Sequence, residues 1–345
     1  MGLRNFLDAK IAPHFEKGGK LNRYYVFYEM FDTMVFSPSA VTGARTHVRD
    51  GLDLKRIMIT VWLAAWPAML FGMWNVGYQA NLQIDLNGMM AIEGWRADIV
   101  MTLTGFDPSS FWSNMLHGAV YYLPIFVVTY LSGFLWEGLF AFVRGHEVNE
   151  GFFVTGILFT LILPPTIPLW MVFLGISFGV LIGKEVFGGT GKNFLNPALV
   201  GRAFLYFAYP AYMSGDAIWT AADNFTGATT LSLAQQGGVE KITEAGITWS
   251  DAFFGFIQGS IGETSTLAIL IGAAILLITK IASWRIMLGV VLGMVATSLL
   301  LNLVGSDTNE LFDVPWHWHL VMGGFMFGTV YMATDPVSAA HTNVG

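Results

Sequence analysis

Three sets of residues in this chain have types and spacings that could do chemistry. The first is Asp223-Asn224-Phe225-Thr226-Gly227-Ala228-Thr229-Thr230. It sets hydroxyls beside a glycine and an alanine, inside the longest polar interruption of the chain, residues 214–262. A hydroxyl on exposed, bendable backbone with little bulk beside it can be esterified. Small polar residues around a glycine also build ordinary turns, so residue types alone leave a solvent-facing turn open. The second set is Gly188-Gly189-Thr190-Gly191-Lys192-Asn193-Phe194-Leu195-Asn196-Pro197. The Asn193 and Asn196 amides offer donors and acceptors together, which suits a polyol chain or the edge of a ring. A plain hairpin is the alternative. The third set is Glu137, Glu150, Glu185, Glu263 and Asp335, in or beside long apolar stretches. A carboxylate inside a membrane is costly and marks an ion or substrate path by default. Glu137 lies deepest and is the first candidate for a cation pathway, with Asp335 second. Glu185 beside Lys184 reads as interfacial.

Other chemistries are excluded or weak. Zero Cys rules out thiolate iron–sulfur ligation, disulfides and thioether-linked haem on this chain. A redox centre here would be organic or held by other ligands. His317 and His319 stand two apart, so on a helix they point to different faces; interfacial anchoring suits them better than a metal, and no metal site is expected. The P-loop, Gly-x-Gly-x-x-Gly, His-Glu-x-x-His and Gly-x-Ser-x-Gly patterns are absent. No nucleic-acid partner is expected, although the net charge of −7 says nothing about nucleic acid until the charges are placed.

The elements that must position these residues are membrane spans. The chain has 345 residues, 54% hydrophobic and only 12% charged, against about 25% charged in soluble domains. A spanning helix needs about 20 mostly apolar residues. The pattern predicts an all-α polytopic membrane protein with eight spans. They cover 57–84, 118–143, a back-to-back pair in 151–183 split by Pro164, Pro165 and Pro168, 197–215, 264–279, 286–306 and 314–334. The resulting domains are an N-terminal segment 1–56, a first membrane repeat 57–213, the polar loop 214–262, and an incomplete second repeat 263–345. Within 1–56, the aromatic-rich stretch Tyr24–Phe36 reads as lying along the membrane surface.

A weak inverted symmetry supports that division. Glu150 opens the third span and Glu263 the sixth, and Asn196-Pro197-Ala198 follows the fourth span as Asp335-Pro336-Val337 follows the eighth. Inverted repeats with broken helices are a common way to build a transport site. On a five-helix repeat, two further spans follow Gly345. Lys and Arg fix the orientation. With the N-terminus inside, 15 basic residues fall on inner ends and two, Arg96 and Lys241, on outer loops. Thr229 is then outside, in the periplasm of a Gram-negative inner membrane. Trp74, Trp170, Trp219, Trp316 and Trp318 form the outer aromatic belt.

Two resemblances add to this. Asp223, Thr226, Gly227, Ala228 and Thr229 resemble the signal at which a flavin transferase links FMN, through its phosphate, to a threonine. The spacing from Asp223 selects Thr229 over Thr226 and Thr230. The whole chain resembles the B-subunit family of Na+-translocating NADH:quinone oxidoreductases. The strings that carry this are His47-Val48-Arg49-Asp50 with Leu54-Lys55-Arg56, and Arg144-Gly145-His146-Glu147-Val148-Asn149-Glu150-Gly151-Phe152-Phe153. Lys184-Glu185-Val186-Phe187-Gly188-Gly189-Thr190-Gly191 through Asn196-Pro197-Ala198 add to them, as do Ser283-Trp284-Arg285 and Ala333-Thr334-Asp335-Pro336-Val337-Ser338-Ala339. The D subunit of Rnf electron-transport complexes is the second match, with a shorter N-terminal segment.

The resemblance implies a six-subunit redox pump, whose five other subunits include carriers of flavins and iron–sulfur centres. Electrons from NADH reach ubiquinone and Na+ moves outward. It implies FMN on Thr229, riboflavin near Asn193 and Asn196, quinone near Gly133, Phe134 and Trp136, and Na+ passage at Glu137 and Asp335. Phe134 stands where the family pattern suggests a small residue. The implied fold is ten helices resembling urea transporters, of which the last two are absent here. A solute channel of the same inverted-repeat fold and a scaffold for partner subunits are the competing classes. A covalent flavin separates the first reading from both.

Overall fold

The structure is a computed structural model that describes residues 6–16, 18–25, 28, 54–88, 91–144, 151–223, 227–340 and 342. Thr226, Glu150, Arg45, His47, Arg49 and most of the aromatic stretch 24–36 lie outside the described residues. Among those residues the regular elements are helical, apart from one isolated bridge between Ala91 and Ala222.

The first expected span is two helices, α1 (Leu54–Ala64) and α2 (Trp66–Asn87). Pro67 opens α2 and removes one backbone donor, so the helix kinks there. After a short helix α3 (Trp95–Leu103) comes α4 (Phe111–Arg144). Its 34 residues measure about 50 Å, well beyond a bilayer core of about 30 Å. α2 and α4 meet backbone to backbone. A Cβ on Gly77 would lie 1.9 Å from the Asn114 carbonyl, and one on Gly118 1.6 Å from that of Met73. Small residues allow this in lipid, where close packing must replace the hydrophobic drive between helices.

The third and fourth expected spans are α5 (Gly151–Leu161) and α6 (Leu169–Gly183). Their connector is buried rather than exposed, with Ile162, Leu163 and Ile167 at 1% or less. Its backbone finds partners a hundred residues away. Gly262 N–H donates to Leu161 O at 2.7 Å, and Ile261 N–H to Leu163 O at 3.2 Å. Irregular backbone at membrane depth survives only where protein satisfies it. α7 (Pro197–Ala208) follows and packs closely on α6 at Gly179 and Gly201.

The polar stretch 214–262 folds into a cap. It carries α8 (Thr230–Glu244), broken at Gly237–Gly238, and α9 (Trp249–Phe254). α10 (Thr266–Ile278) and α11 (Trp284–Val304) return to the bundle, α11 at its edge with most of its apolar surface facing outward. The eighth expected span, 314–334, is not one helix. It consists of the turns Trp316–His319 and Phe325–Phe327 and a wide turn Gly328–Met332. Gly323 adopts the left-handed conformation, φ +57, and ends the first turn. Trp318, Val321 and Met322 pack against Ala234, Ile242, Ala252 and Ile257 of the cap, apart from the main core.

Among the described residues, four stretches are long and apolar enough to cross a bilayer: Arg56–Leu86, Phe111–Arg144, Leu169–Phe187 and Trp284–Val304. α5, α7 and α10 are shorter apolar helices beside them. The protein is a multi-pass, all-helical membrane protein.

Candidate functional site

Two places gather the residues singled out above, at opposite ends of the bundle. The first lies where α4 and α6 finish. Lys184 ends α6, its N–H donating to Val180 O at 3.2 Å. Its ammonium pairs with the Glu137 carboxylate of α4, and both side chains are only 4% exposed. Arg144, at the end of the same helix, clamps the next residue. It donates to Glu185 Oε2 at 3.0 Å and to Glu185 O at 2.8 Å. Glu185, expected at the interface, is therefore buried, with a side chain 2% exposed. The sequence hid this because its partner lies 41 positions away.

Beside this clamp is a small cavity of about 30 Å³. Its polar wall is Lys184, Thr190, Asn193, Asn196, Asp335 and Thr155; Met58, Val154, Leu158 and Val337 form much of the apolar wall. Asn196 caps α7, its Oδ1 accepting from Ala198 N–H at 2.9 Å. Its Nδ2 donates to Asp335 Oδ2 at 3.3 Å. Asn193 is 6% exposed and donates to Leu195 O at 2.8 Å. The Thr190 hydroxyl is buried with no hydrogen-bond partner among the described residues, a cost that a polar ligand would relieve. The lining suits a flavin in its chemistry, with polar groups for a polyol chain and ring edge and apolar groups for the ring faces, but the cavity has to widen to admit one. A second cavity of about 20 Å³ adjoins it, and Asn196 and Asp335 line both. Asp335 also accepts from the Ser338 hydroxyl at 2.8 Å and Val337 N–H at 3.2 Å. It has no ion pair among the described residues.

The structure thus brings Asn193, Asn196 and Asp335 into one wall, with Glu137 behind Lys184. Thr190, Thr155 and Lys184 were not singled out from the sequence. Thr190 sits inside the glycine-rich turn, which was the available signal; Lys184 carried none.

The quinone candidates are not gathered in this way. Phe152 fills the space beside Gly133, where a Cβ would lie 1.7 Å from the ring. Phe134 stacks edge-on against Phe152 and Phe153 at 5.1 and 5.3 Å. Trp136 turns to another helix and donates to Ser177 Oγ at 2.8 Å.

A further ion pair lies away from both ends. Arg202, counted above among the inner basic residues, is midway along α7 and donates to Glu263 Oε1 at 2.8 Å. Glu263 precedes α10, and its side chain is 8% exposed. Arg202 thus balances a buried carboxylate, as Lys184 does. Removing both from the inner tally leaves 13 basic residues against two, so the asymmetry stands.

The second place is the Thr229 loop, at the other end of the molecule. Ala222 bridges to Ala91, just beyond α2, and Gly227 N–H donates to Asp216 O at 2.8 Å. Asp223, Gly227 and Ala228 are half-buried. Thr229 is half-buried too, with extended backbone, and caps α8 by accepting from Ser232 N–H at 3.2 Å. Its hydroxyl proton has no acceptor among the described residues. An ester at this oxygen would keep the lone pair used by the cap, so the site is compatible with phosphate attachment.

Comparison with known proteins identifies the family of the chain. The chain is 65% identical over its whole length to the B subunit of the Na(+)-translocating NADH-quinone reductase of Ectopseudomonas mendocina (strain ymp), covering 86% of that protein. It is 64% identical to the protein of the same name in Stutzerimonas stutzeri (strain A1501) and 63% to that of Azotobacter vinelandii, again over the whole chain and 86% of the relative. The model of the NQR2, RnfD, RnfE family matches residues 41–345. With nearly nine-tenths of its residues inside that match, this chain belongs to the NQR2, RnfD, RnfE family.

Proposed function

We propose that this chain is the membrane subunit of a redox-driven sodium pump. It relays electrons from NADH to ubiquinone through covalent FMN and non-covalent riboflavin, and couples that relay to Na+ export. The observation that carries the reading is 65% identity over the entire chain to a protein named for that activity. The names of the relatives favour this over an Rnf-type D subunit.

Thr229 is the FMN attachment point, with Asp223, Thr226, Gly227 and Ala228 as the signal read by a flavin transferase. Asn193, Asn196, Thr190 and Asp335 hold riboflavin at this cavity, which widens to receive it. Bound flavin supplies one-electron chemistry; the chain supplies position and exclusion of water. NADH is oxidised on a partner, because this sequence has no dinucleotide-binding motif. Five other subunits complete the complex. Ubiquinone binds near Gly133, Phe134 and Trp136, which requires Phe152 to move off Gly133. Na+ passes by way of Glu137 and Asp335, and its coupling to electron flow demands a difference in ion affinity between redox states.

The excess of basic residues at the Arg144 end makes that end cytoplasmic, with the N-terminus, in a bacterial inner membrane. The Thr229 cap is then periplasmic. The deciding experiment is the intact mass of the denatured chain from its native host, followed by peptide mapping. A gain of FMN less one water on the Thr229 peptide is expected. An unmodified chain from a host with an active flavin transferase would favour a solute channel instead.

A further inference from the structure

The Thr229 end of the bundle holds a cation that the proposed electron and ion paths do not use. Arg96 lies in the first turn of α3, half-buried against α4. Its guanidinium carbon stands 4.6 Å from the centre of the Tyr121 ring and 5.2 Å from that of Trp95, so two aromatic rings hold the charge in place. It has no ion pair among the described residues, and its Nε is buried without a hydrogen-bond partner. Desolvation pushes its pKa down, as expected of a cation buried without an anion, yet an arginine stays charged. Glu93 and Asp98 flank it in sequence, but both are exposed and neither pairs with it. Lys241, the other basic residue at this end, is already paired with Glu244 at 3.0 Å.

The depth of this cation follows from α4. Centred on a hydrocarbon core of about 30 Å, a helix of about 50 Å overhangs by about 10 Å at each end. Tyr121 lies about 15 Å into α4, and a ring on a helix leans back toward the N-terminus. The guanidinium therefore stands at the boundary between acyl chains and headgroups. The surface beside it is apolar: Trp95, Ile99, Met101, Leu103 and Trp112 are between 36% and 73% exposed. α3, at about 14 Å, is too short to span, and its tryptophan suits an interface.

We propose that Arg96 binds the phosphate of an anionic phospholipid, whose acyl chains lie along Ile99, Met101, Leu103 and Trp112. The planar guanidinium matches a phosphate with two parallel N–H donors. An anionic headgroup leaves the pair neutral, whereas a zwitterionic one brings its own ammonium beside the cation. The site is independent of the flavin, quinone and sodium assignments. The other anion within this end of the fold would be a phosphodiester on Thr229, since the Ala91–Ala222 bridge ties the chain before α3 to the chain before that loop. The run of exposed apolar side chains leading away from Arg96 favours the lipid.

The test is photolabelling of the assembled complex in detergent by phosphatidylglycerol carrying a diazirine in one acyl chain, followed by peptide mapping. The peptide spanning residues 95–112 should be labelled. Arg96→Gln should lower that labelling about fivefold, the share of one basic residue at a lipid surface. α11, whose apolar surface also faces outward, supplies the control, and its labelling should not change. Arg96→Lys keeps the charge but loses the fork and should fall between the two; it carries the test if Arg96→Gln does not fold. Four outcomes overturn the proposal. Labelling of 95–112 may survive both substitutions unchanged. Diacylglycerol with the same tag may label equally, which would mean that the surface takes acyl chains without reading a phosphate. Inorganic phosphate at millimolar concentration may abolish the labelling, which would make the ligand a free anion. Labelling may occur only in Thr229→Ala complexes, which would assign Arg96 to the flavin phosphodiester instead.

Discussion

The Asn196 amide donates to Asp335 Oδ2 at 3.3 Å across 139 positions of chain. That bond joins the start of α7 to the turn after the broken segment 314–334, and both residues line both cavities. The sequence shows Asn196-Pro197 and Asp335-Pro336 as repeated punctuation; in space they touch.

Replacing Asn196 by Ala should therefore do two separable things. Loss of the α7 cap costs about 1 kcal/mol. Loss of the amide also disorders the polar wall. Asn193→Ala/Asn196→Ala should reduce non-covalent riboflavin in the purified complex about tenfold or more. Asn196→Asp, which preserves the cap but adds a second carboxylate beside Asp335, should lose flavin with the thermal midpoint nearly unchanged. Full riboflavin content in both variants would make the 188–197 turn a plain hairpin.

Thr229→Ala should abolish covalent flavin while costing about 1 kcal/mol through the lost α8 cap. In-gel fluorescence of the denatured chain reads the first effect and thermal unfolding the second. Flavin still attached after this substitution would move the linkage to Thr226 or Thr230.

Gly133→Ala should be poorly tolerated because of Phe152, not because of quinone. The added methyl would meet the ring at 1.7 Å, an overpacking worth typically about 1–3 kcal/mol. Phe152→Leu in the same chain should restore stability. If the pair also restores the KM for ubiquinone, Gly133 acts through packing; if KM stays raised with stability recovered, Gly133 touches the substrate.

Arg202→Met should destabilise by about 3–5 kcal/mol, since it strands the buried Glu263 carboxylate. Arg202→Met/Glu263→Gln should recover most of that loss. Detergent-solubilised thermal midpoints of the two variants settle the point, and equal midpoints would mean that Glu263 is solvated rather than held by Arg202.

Much of the fold could be read from the sequence because lipid imposes a simple rule, long apolar runs closed by polar ends. α4 and α11 obey it, and the proline-split pair α5 and α6 was legible from Pro164, Pro165 and Pro168. The segment 314–334 was not legible. Its composition is that of a span, but Gly323 breaks it and its first half belongs to the cap. The candidate site residues divided along the same line. Asn193, Asn196, Asp335 and Thr229 announce themselves by local chemistry. Lys184, Glu185 and Arg202 do not, because their meaning lies in partners 41 to 61 positions distant. A charge near the end of an apolar run reads as an interface marker until its partner is known.

The pairing of Leu161 and Leu163 with residues 262 and 261 also has a consequence for biogenesis. Those two carbonyls acquire their partners only after roughly a hundred more residues have been made. At about 5–20 residues per second, the ribosome leaves the α5–α6 connector incomplete for on the order of 5 to 20 seconds. During that time it must be shielded by the translocon, a chaperone or water, because lipid offers it nothing. The two halves of the chain are thus one insertion unit, and the first half released alone should be recognised as unfinished and degraded.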